Sequence, residues 1–169
     1  MPRPDLSRVP EFYHNYIRQV PESDLMEAFK TESPAFIQFM ENIPLSKYDY
    51  RYAEGKWTLK EVLQHIIDAE RIFTYRALRF ARKDSTPLPG FDENHFAETS
   101  KAALRKWDDL LEEFKAVRKS SEYLFRSFDE EQLESTGISN KHSIYVLGIG
   151  FIIVGHSNHH RNVIRERYL

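Results

Sequence analysis

Three histidines lie within five residues near the end of the sequence, at His156, His159 and His160. In a helix, His156 and His160 lie one turn apart and about 40° apart around the axis. This is the spacing at which one helix offers two imidazole nitrogens to a single metal ion. His159 is turned toward the edge of that face, so we do not count it with the pair.

The residues around the pair place it on the apolar side of an amphipathic helix, together with Ile149, Ile153 and Val163. The opposite side is expected to lie in water and consists of Ser157, Asn158, Arg161, Asn162 and Arg165. Histidine is only an intermediate occupant of protein interiors, so two on an apolar face need an explanation. Two interpretations are open from this spacing: a metal site, or hydrogen-bonded histidines of the core.

The composition favours one globular domain, which we take as residues 1–169, with an N-terminal lead-in over residues 1–22. The chain is 41% hydrophobic and 14% aromatic, enough to bury a core. A net charge of −2 gives no case for nucleic acid. The longest apolar run, residues 144–155, has 12 residues, fewer than the ~20 that span a bilayer.

Cysteine is absent from the sequence, which excludes disulfides, thiolate metal ligands and a cysteine nucleophile. The first residues contain no apolar segment typical of a signal peptide. We therefore expect a cytoplasmic protein with neither nucleic acid nor a membrane as its partner.

Long helices must position the histidines, and two are predicted in the first half of the chain. Apolar residues recur at helical spacing from Ser23, a fair N-cap, to Pro44. Pro34 lies inside this pattern, so the helix kinks there or begins again. A capping box at Thr58 starts the second helix, which runs to about Lys83.

A connection of sixteen residues, 84–99, separates the second helix from the third, which runs over about 100–127. Extended, this connection reaches about 50 Å, long enough to cross a bundle and make its flanking helices parallel. A polar turn precedes the fourth helix, which is expected to be capped by Ser143. Gly148 and Gly150 predict close packing of a neighbour on that helix. The pattern predicts an all-α four-helix bundle with up-down-down-up topology.

Such a bundle brings a third imidazole to the pair if its second and fourth helices are neighbours, because His65 lies on the flank of the second helix's apolar stripe. Three neutral imidazoles with an open position are typical of a catalytic metal site. Imidazole ligands suit a divalent transition metal, Zn or Ni first and Fe or Cu as alternatives, and disfavour Mg and Ca. Trp57 is either a core anchor at the start of the second helix or part of the pocket mouth.

Glu70 lies close to the centre of the same apolar stripe, where a lone carboxylate is costly. One interpretation makes it a general base near the metal, or a hydrogen-bond acceptor for a ligand imidazole. The other is a buried ion pair with an arginine. The arginines of the second helix are expected to form a solvated face, or one of them holds an anionic substrate: Arg71, Arg76, Arg79 and Arg82.

Three segments in order resemble the DinB/YfiT-like family. Residues 57–71 are similar to its second helix, residues 87–92 to the crossover of one branch, and residues 155–169 to its C-terminal helix. The likeness covers roughly residues 20–169. It implies an up-down-down-up four-helix bundle and a divalent metal held by three histidines, which fall on His65, His156 and His160.

The resemblance implies a metal-dependent hydrolase that acts on a small molecule through an open coordination position. Related proteins include S-transferases and isomerases that use a low-molecular-weight thiol such as bacillithiol or mycothiol. A thiol S-transferase and a non-catalytic metal-binding stress-response protein are therefore the alternatives. A chain without cysteine would take its thiol from the cosubstrate. A homodimer is also expected if an apolar helix face remains after the bundle forms.

Overall fold

The computed structural model describes residues 3–169, so Met1 and Pro2 of the predicted lead-in lie outside the described residues. Its elements, in chain order, are α1 (His14–Arg18), α2 (Leu25–Glu41), α3 (Leu59–Ala81), α4 (Glu93–Thr99), α5 (Trp107–Arg126), α6 (Glu130–Glu134), β1 (Thr136–Ser139), β2 (His142–Tyr145) and α7 (Val146–Arg167). The prediction of a mainly helical protein is confirmed, with the β-hairpin as an addition. Within the described residues, no helix combines the length and apolarity needed to cross a membrane.

The start of α3 is the capping box that the sequence predicts. The Thr58 hydroxyl accepts a hydrogen bond from the Glu61 N–H at 3.2 Å, and the Glu61 carboxylate accepts one from the Thr58 N–H at 2.7 Å. This reciprocal cap sets the rotation of the helix from its first turn. Both His65 and Glu70 then point into the protein, where they are buried.

Helix α2 begins one residue later than predicted and is continuous. Asp24, rather than Ser23, is its cap, with the carboxylate accepting from two backbone N–H groups of the first turn. Pro34 lies inside the helix without dividing it. Phe29 before the proline and Phe36 after it are both buried, so core packing on both sides offsets the lost backbone hydrogen bond.

The crossover is more structured than the sequence suggests. Asp92 caps the short helix α4 by accepting from the N–H groups of Asn94 and His95. Lys101 then adopts a left-handed backbone with φ of 56°. The predicted third helix therefore begins at Trp107, not near Ser100.

The predicted polar turn before the last helix is a β-hairpin in which Thr136 pairs with Tyr145 and Ser139 with His142. Its two turn residues, Asn140 and Lys141, both have positive φ, as a tight two-residue hairpin requires. Ser143 consequently lies in β2, and α7 begins at Val146.

The four long helices pack around a shared interior, with α2 and α3 each in contact with both α5 and α7. Contacts between α3 and α5 advance in the same direction along both helices: Arg71 with Glu113 and Thr74 with Ser121. Gln64 of α3 contacts Arg105, which lies just before the start of α5, in the same order. Contacts between α3 and α7 advance in opposite directions, since the ring of His65 lies against that of His160 and the ring of Phe73 against that of His156.

The short lead-in helix α1 lies directly on α7. A Cβ atom added to Gly155 would stand 2.1 Å from the Tyr16 carbonyl oxygen. The predicted close approach at Gly148 and Gly150 is also confirmed, because a Cβ atom there would meet the side chains of Val9 and Leu25 at 2.7 and 2.5 Å. Small residues along α7 thus allow its neighbours to pack at short range.

The expectation that one side of α7 lies in water is wrong for its middle turn. Ser157 and Asn158 are fully buried, because α1 and α2 cover that side. The Asn158 amide donates to the Gln19 carbonyl at 3.2 Å. Arg161 pairs with the Glu32 carboxylate at 2.9 Å and is only partly exposed.

The expected solvated arginine face on α3 is also wrong at one position. Arg76 is buried; its guanidinium donates to the Pro89 carbonyl at 2.9 Å and lies 5.8 Å from the centre of the Phe73 ring. Arg71 and Arg82 are exposed, as expected. Arg76 therefore ties the crossover to α3 instead of facing solvent.

We predict that Gly155→Ala destabilises the fold by about 1–3 kcal/mol, the usual cost of overpacking. The added methyl group would meet the Tyr16 backbone, which cannot move aside without displacing α1. The free energy of unfolding in urea measures this cost. Gly148→Ala is the matched control, since the atoms nearest to its added methyl group belong to the side chains of Val9 and Tyr145 and not to the backbone. Equal stability of the two variants would contradict the proposed close contact of α1 with α7.

Candidate metal centre

Three imidazoles converge where α3 packs against α7. The Nε2 atom of His156 lies 3.0 Å from that of His65 and 3.1 Å from that of His160. Potential ligand atoms of all three side chains lie within 4.8 Å of one another. The structure thus brings together the three histidines that the sequence singled out as ligands.

The spacing of these nitrogens fits a metal ion. In tetrahedral coordination with metal–nitrogen bonds of 2.0–2.1 Å, ligand nitrogens lie about 3.3 Å apart, close to the separations found here. Lone pairs of neutral imidazoles that face one another inside a protein repel unless a proton or a cation lies between them. His65 and His156 are buried, and His160 is half-buried. This donor set suits a divalent transition metal.

The protonation state of the three side chains also favours metal binding. Burial lowers the pKa of His65 to about 4. It lowers the pKa values of His156 and His160 well below the ordinary range, and the neighbouring imidazoles lower them further. The imidazoles are therefore neutral at pH 7, the form in which histidine binds a metal.

Three aromatic rings flank the cluster, two beside His156 and one beside His65. The ring of Tyr16 in α1 lies 5.3 Å from that of His156, and the ring of Phe73 lies 6.2 Å from it. The Trp57 ring lies 4.8 Å from that of His65. These contacts restrict the orientations of the imidazoles.

The cluster is reached through a cavity of about 370 Å³ lined by His160. Its other walls are formed by Tyr52, Gly55, Lys56, Trp57, Val62, Asn94, His159, Val163 and Tyr168. Trp57 thus lines the pocket, which was one of its two predicted positions. A larger hollow of about 770 Å³ lies between α2 and α5, and the three histidines do not line it.

Several lining residues were not found from the sequence. Asn94 belongs to α4, a helix that the loop-like composition of the crossover did not indicate. Tyr52 and Lys56 lie in the connection before α3. This segment has no helical or strand periodicity from which the direction of a side chain could be predicted. Trp57, at the start of α3, was the aromatic residue by which the sequence pointed to this wall.

Glu70 forms a buried ion pair with Arg118. Both carboxylate oxygens accept from the guanidinium at 2.8 to 3.1 Å, and the Ser121 hydroxyl donates to one of them at 2.8 Å. These are the contacts of the ion-pair interpretation. In the described part of the chain, no hydrogen bond joins Glu70 to an imidazole. No contact therefore supports a role for Glu70 as the general base.

Arg118 has further partners on two other helices. Its guanidinium lies 3.2 Å from the hydroxyl of Ser33 in α2 and 3.2 Å from that of Ser157 in α7. Since Ser157 follows His156 directly, this network of Ser33, Glu70, Arg118, Ser121 and Ser157 adjoins the histidine cluster.

Of the remaining four histidines, three lie apart from the cluster and His159 lies beside it. His14 contacts the carbonyl oxygens of Leu6 and Val9. His95 is exposed in α4, and His142 lies in β2. His159 packs against the ring of Tyr16 and belongs to the cavity wall without joining the three converging nitrogens.

Comparisons with known proteins give two positive findings. A sequence model described as the DinB superfamily matches residues 28–164. YfiT from Bacillus subtilis, described as "a probable metal-dependent hydrolase with an unusual four-helix bundle topology", is similar in structure with a TM-score of 0.70. The identity is 22%, over 96% of this chain and 89% of that chain, so the likeness shows the fold alone. No curated protein matches the chain.

Acid should destabilise the metal-free protein. In the unfolded chain the histidines take up protons below about pH 6.5, whereas folded His65 stays neutral to about pH 4. The unfolded state binds more protons between these values, so stability falls as the pH is lowered. Each such histidine should lower the free energy of unfolding by about 1.4 kcal/mol per pH unit below pH 6.5.

Urea unfolding of chelator-treated protein at pH 7.5 and 5.5 measures this loss of stability. The loss should be smaller in His65→Gln and unchanged in His95→Gln. An equal loss in both variants would contradict it.

Removing the charge of Glu70 should destabilise the fold strongly. We expect Glu70→Gln to lower the free energy of unfolding by about 3–5 kcal/mol, because Arg118 then remains buried without a counter-charge. The double variant Glu70→Met/Arg118→Met should recover most of this loss. Glu27→Gln, which removes an exposed ion pair, is the control and should cost less than about 1 kcal/mol. If Glu70→Gln kept full stability, the ion pair would not have the structural role argued here.

Proposed function

The chain belongs to the DinB superfamily, and we propose that it is a metal-dependent hydrolase acting on a small molecule at a three-histidine site. The observation that carries this proposal is the convergence of His65, His156 and His160, with potential ligand atoms within 4.8 Å of one another. The description of the similar structure YfiT as a probable metal-dependent hydrolase supports it.

The proposal gives each part of the site a task. The three histidines would hold the ion, with Zn or Ni as the proposed metals and Fe or Cu as alternatives. A divalent metal with an open position lowers the pKa of a bound water and polarises a carbonyl or phosphoryl oxygen. Tyr16 and Phe73 restrict the orientation of His156, and the cavity beside His160 admits the substrate. His159, which lines the cavity and is not one of the three proposed ligands, would accept a proton.

We also propose the up-down-down-up order for the four long helices, α2, α3, α5 and α7. It is supported by the contacts that advance in the same direction along α3 and α5 and in opposite directions along α3 and α7. The long crossover between α3 and α5 is the connection that parallel neighbours require.

A thiol S-transferase is the second candidate. No carboxylate is among the residues that line the cavity, so the wall lacks the acidic general base found in many metal-dependent hydrolases. A thiol needs no such base, because coordination to a metal deprotonates it directly. A chain without cysteine would obtain this thiol from a cosubstrate.

Metal analysis of the purified protein tests the proposal. We expect about one transition-metal ion per chain, as a site of three protein ligands holds. His65→Ala and His156→Ala should lose it, because two imidazoles bind far more weakly than three. His95→Ala is the control, since His95 is exposed in α4. Mass spectrometry of protein prepared without chelator gives the metal content.

The opposite result would overturn the metalloenzyme proposal. Protein that holds no metal, and whose melting temperature does not rise on addition of Zn or Ni, would have histidines that serve the core alone. If the metal is present, activity assays with esters, amides and thiol-transfer substrates then distinguish a hydrolase from a transferase.

A further inference from the structure

The cavity beside His160 is lined by polar groups that favour negative charge. Its polar side chains include Lys56, Asn94 and His159, and no acidic residue lines it. The sequence as a whole contains 26 acidic residues against 24 Lys and Arg. The lack of a carboxylate is therefore a property of this wall and does not reflect the composition of the chain.

The charges at the histidine cluster also favour an anionic ligand. The three imidazoles are neutral, so a divalent ion between them keeps its double positive charge. The buried charges of Arg118 and Glu70 nearby compensate each other within their ion pair. A bound ion would add two positive charges beside the cavity, against the negative charges of Glu61 and Glu166, which act on the lining Tyr168 and His159, and positive charge attracts anions.

Lys56 is free to pair with a ligand. It is exposed, and no ion pair or side-chain hydrogen bond involves it among residues 3–169. Two other lysines are engaged in ion pairs; Lys60 lies 3.1 Å from Asp49, and Lys115 lies 2.9 Å from Glu41. An unpaired ammonium group on the rim of a cavity offers three donors to an anionic oxygen group.

Aromatic rings form the rest of the wall. The rings of Tyr52 and Tyr168 meet edge to face at 5.1 Å. The Tyr168 hydroxyl donates to the Trp57 carbonyl at 2.8 Å, which holds the end of α7 against the start of α3. Flat or apolar groups bind well to such rings, and a volume of about 370 Å³ lies in the range of small-molecule sites.

We propose that the substrate of this site is a small anion with an apolar or aromatic body, and that Lys56 selects it by pairing with its carboxylate or phosphate group. This inference rests on the proposed function, since the cavity is a substrate site only if the three histidines hold a metal. Lys56 acts here as a specificity-determining residue. The body of the substrate sets the distance between Lys56 and the group that reacts.

The test compares three probes of similar size on zinc-loaded protein. These are phenylacetate, phenyl phosphate and the neutral phenylacetamide, with dissociation constants measured by titration of the ligand NMR signals. We expect at least one anion to bind about tenfold more tightly than phenylacetamide, as a charged pair beside a metal allows. Which anion binds more tightly identifies the carboxylate or the phosphate as the preferred group.

Substitution of the lysine separates its contribution from that of the metal. Lys56→Gln should weaken binding of the preferred anion about fivefold, and Lys56→Glu by more, with phenylacetamide unchanged. Lys106→Gln is the matched control, because Lys106 is also exposed and lines a different hollow. The zinc content of every variant is measured in the same samples.

The outcomes distinguish the two proposals. If zinc is not bound, the proposed function fails and this inference fails with it. If zinc is bound but the anions bind no more tightly than phenylacetamide, or none of the probes binds, the inference alone is overturned. It is also overturned if Lys56→Glu binds the anions as tightly as the unchanged protein.

Discussion

One buried guanidinium holds the four long helices together. Arg118 belongs to α5 and contacts Ser33 in α2, Glu70 in α3 and Ser157 in α7. A charge in the interior is tolerated only when its partners are all in place. Any rotation or shift of one helix against the others would remove a partner. The ion pair therefore disfavours other registers of the bundle, which apolar packing alone would distinguish less sharply.

The hydrogen-bond network around Arg118 also fixes the geometry of the histidine cluster. His156 directly precedes Ser157, so the position of α7 that satisfies Arg118 also aims the imidazole at His65. Gly155, on the other side of His156, lets α1 approach closely enough for Tyr16 to cover the ring. Three consecutive residues of α7 thus perform three tasks: close packing, presentation of an imidazole and anchoring of a buried charge.

Much of this arrangement follows from the sequence, and the exceptions share a cause. Helical periodicity and the capping box at Thr58 predict α3, and the spacing of His156 and His160 predicts their common face. Periodicity reports which side of a helix is apolar, but it does not reveal polar residues that are buried with partners. Ser157 and Arg76 were misplaced for this reason, since their partners come from other segments of the chain. The crossover helix α4 and the hairpin depend on local turn geometry that composition describes poorly.

The three histidines and part of the cavity wall beside them lie on segments of the chain that are constrained to different degrees. The imidazoles stand on α3 and α7, whose positions are fixed by the buried ion pair. Asn94 and Lys56, by contrast, come from surface connections that bury little of the core. Such segments tolerate sequence change better than the helices they connect. A protein with this framework can therefore change these residues of the cavity wall and keep its three histidines, because the two sets lie on segments that vary separately.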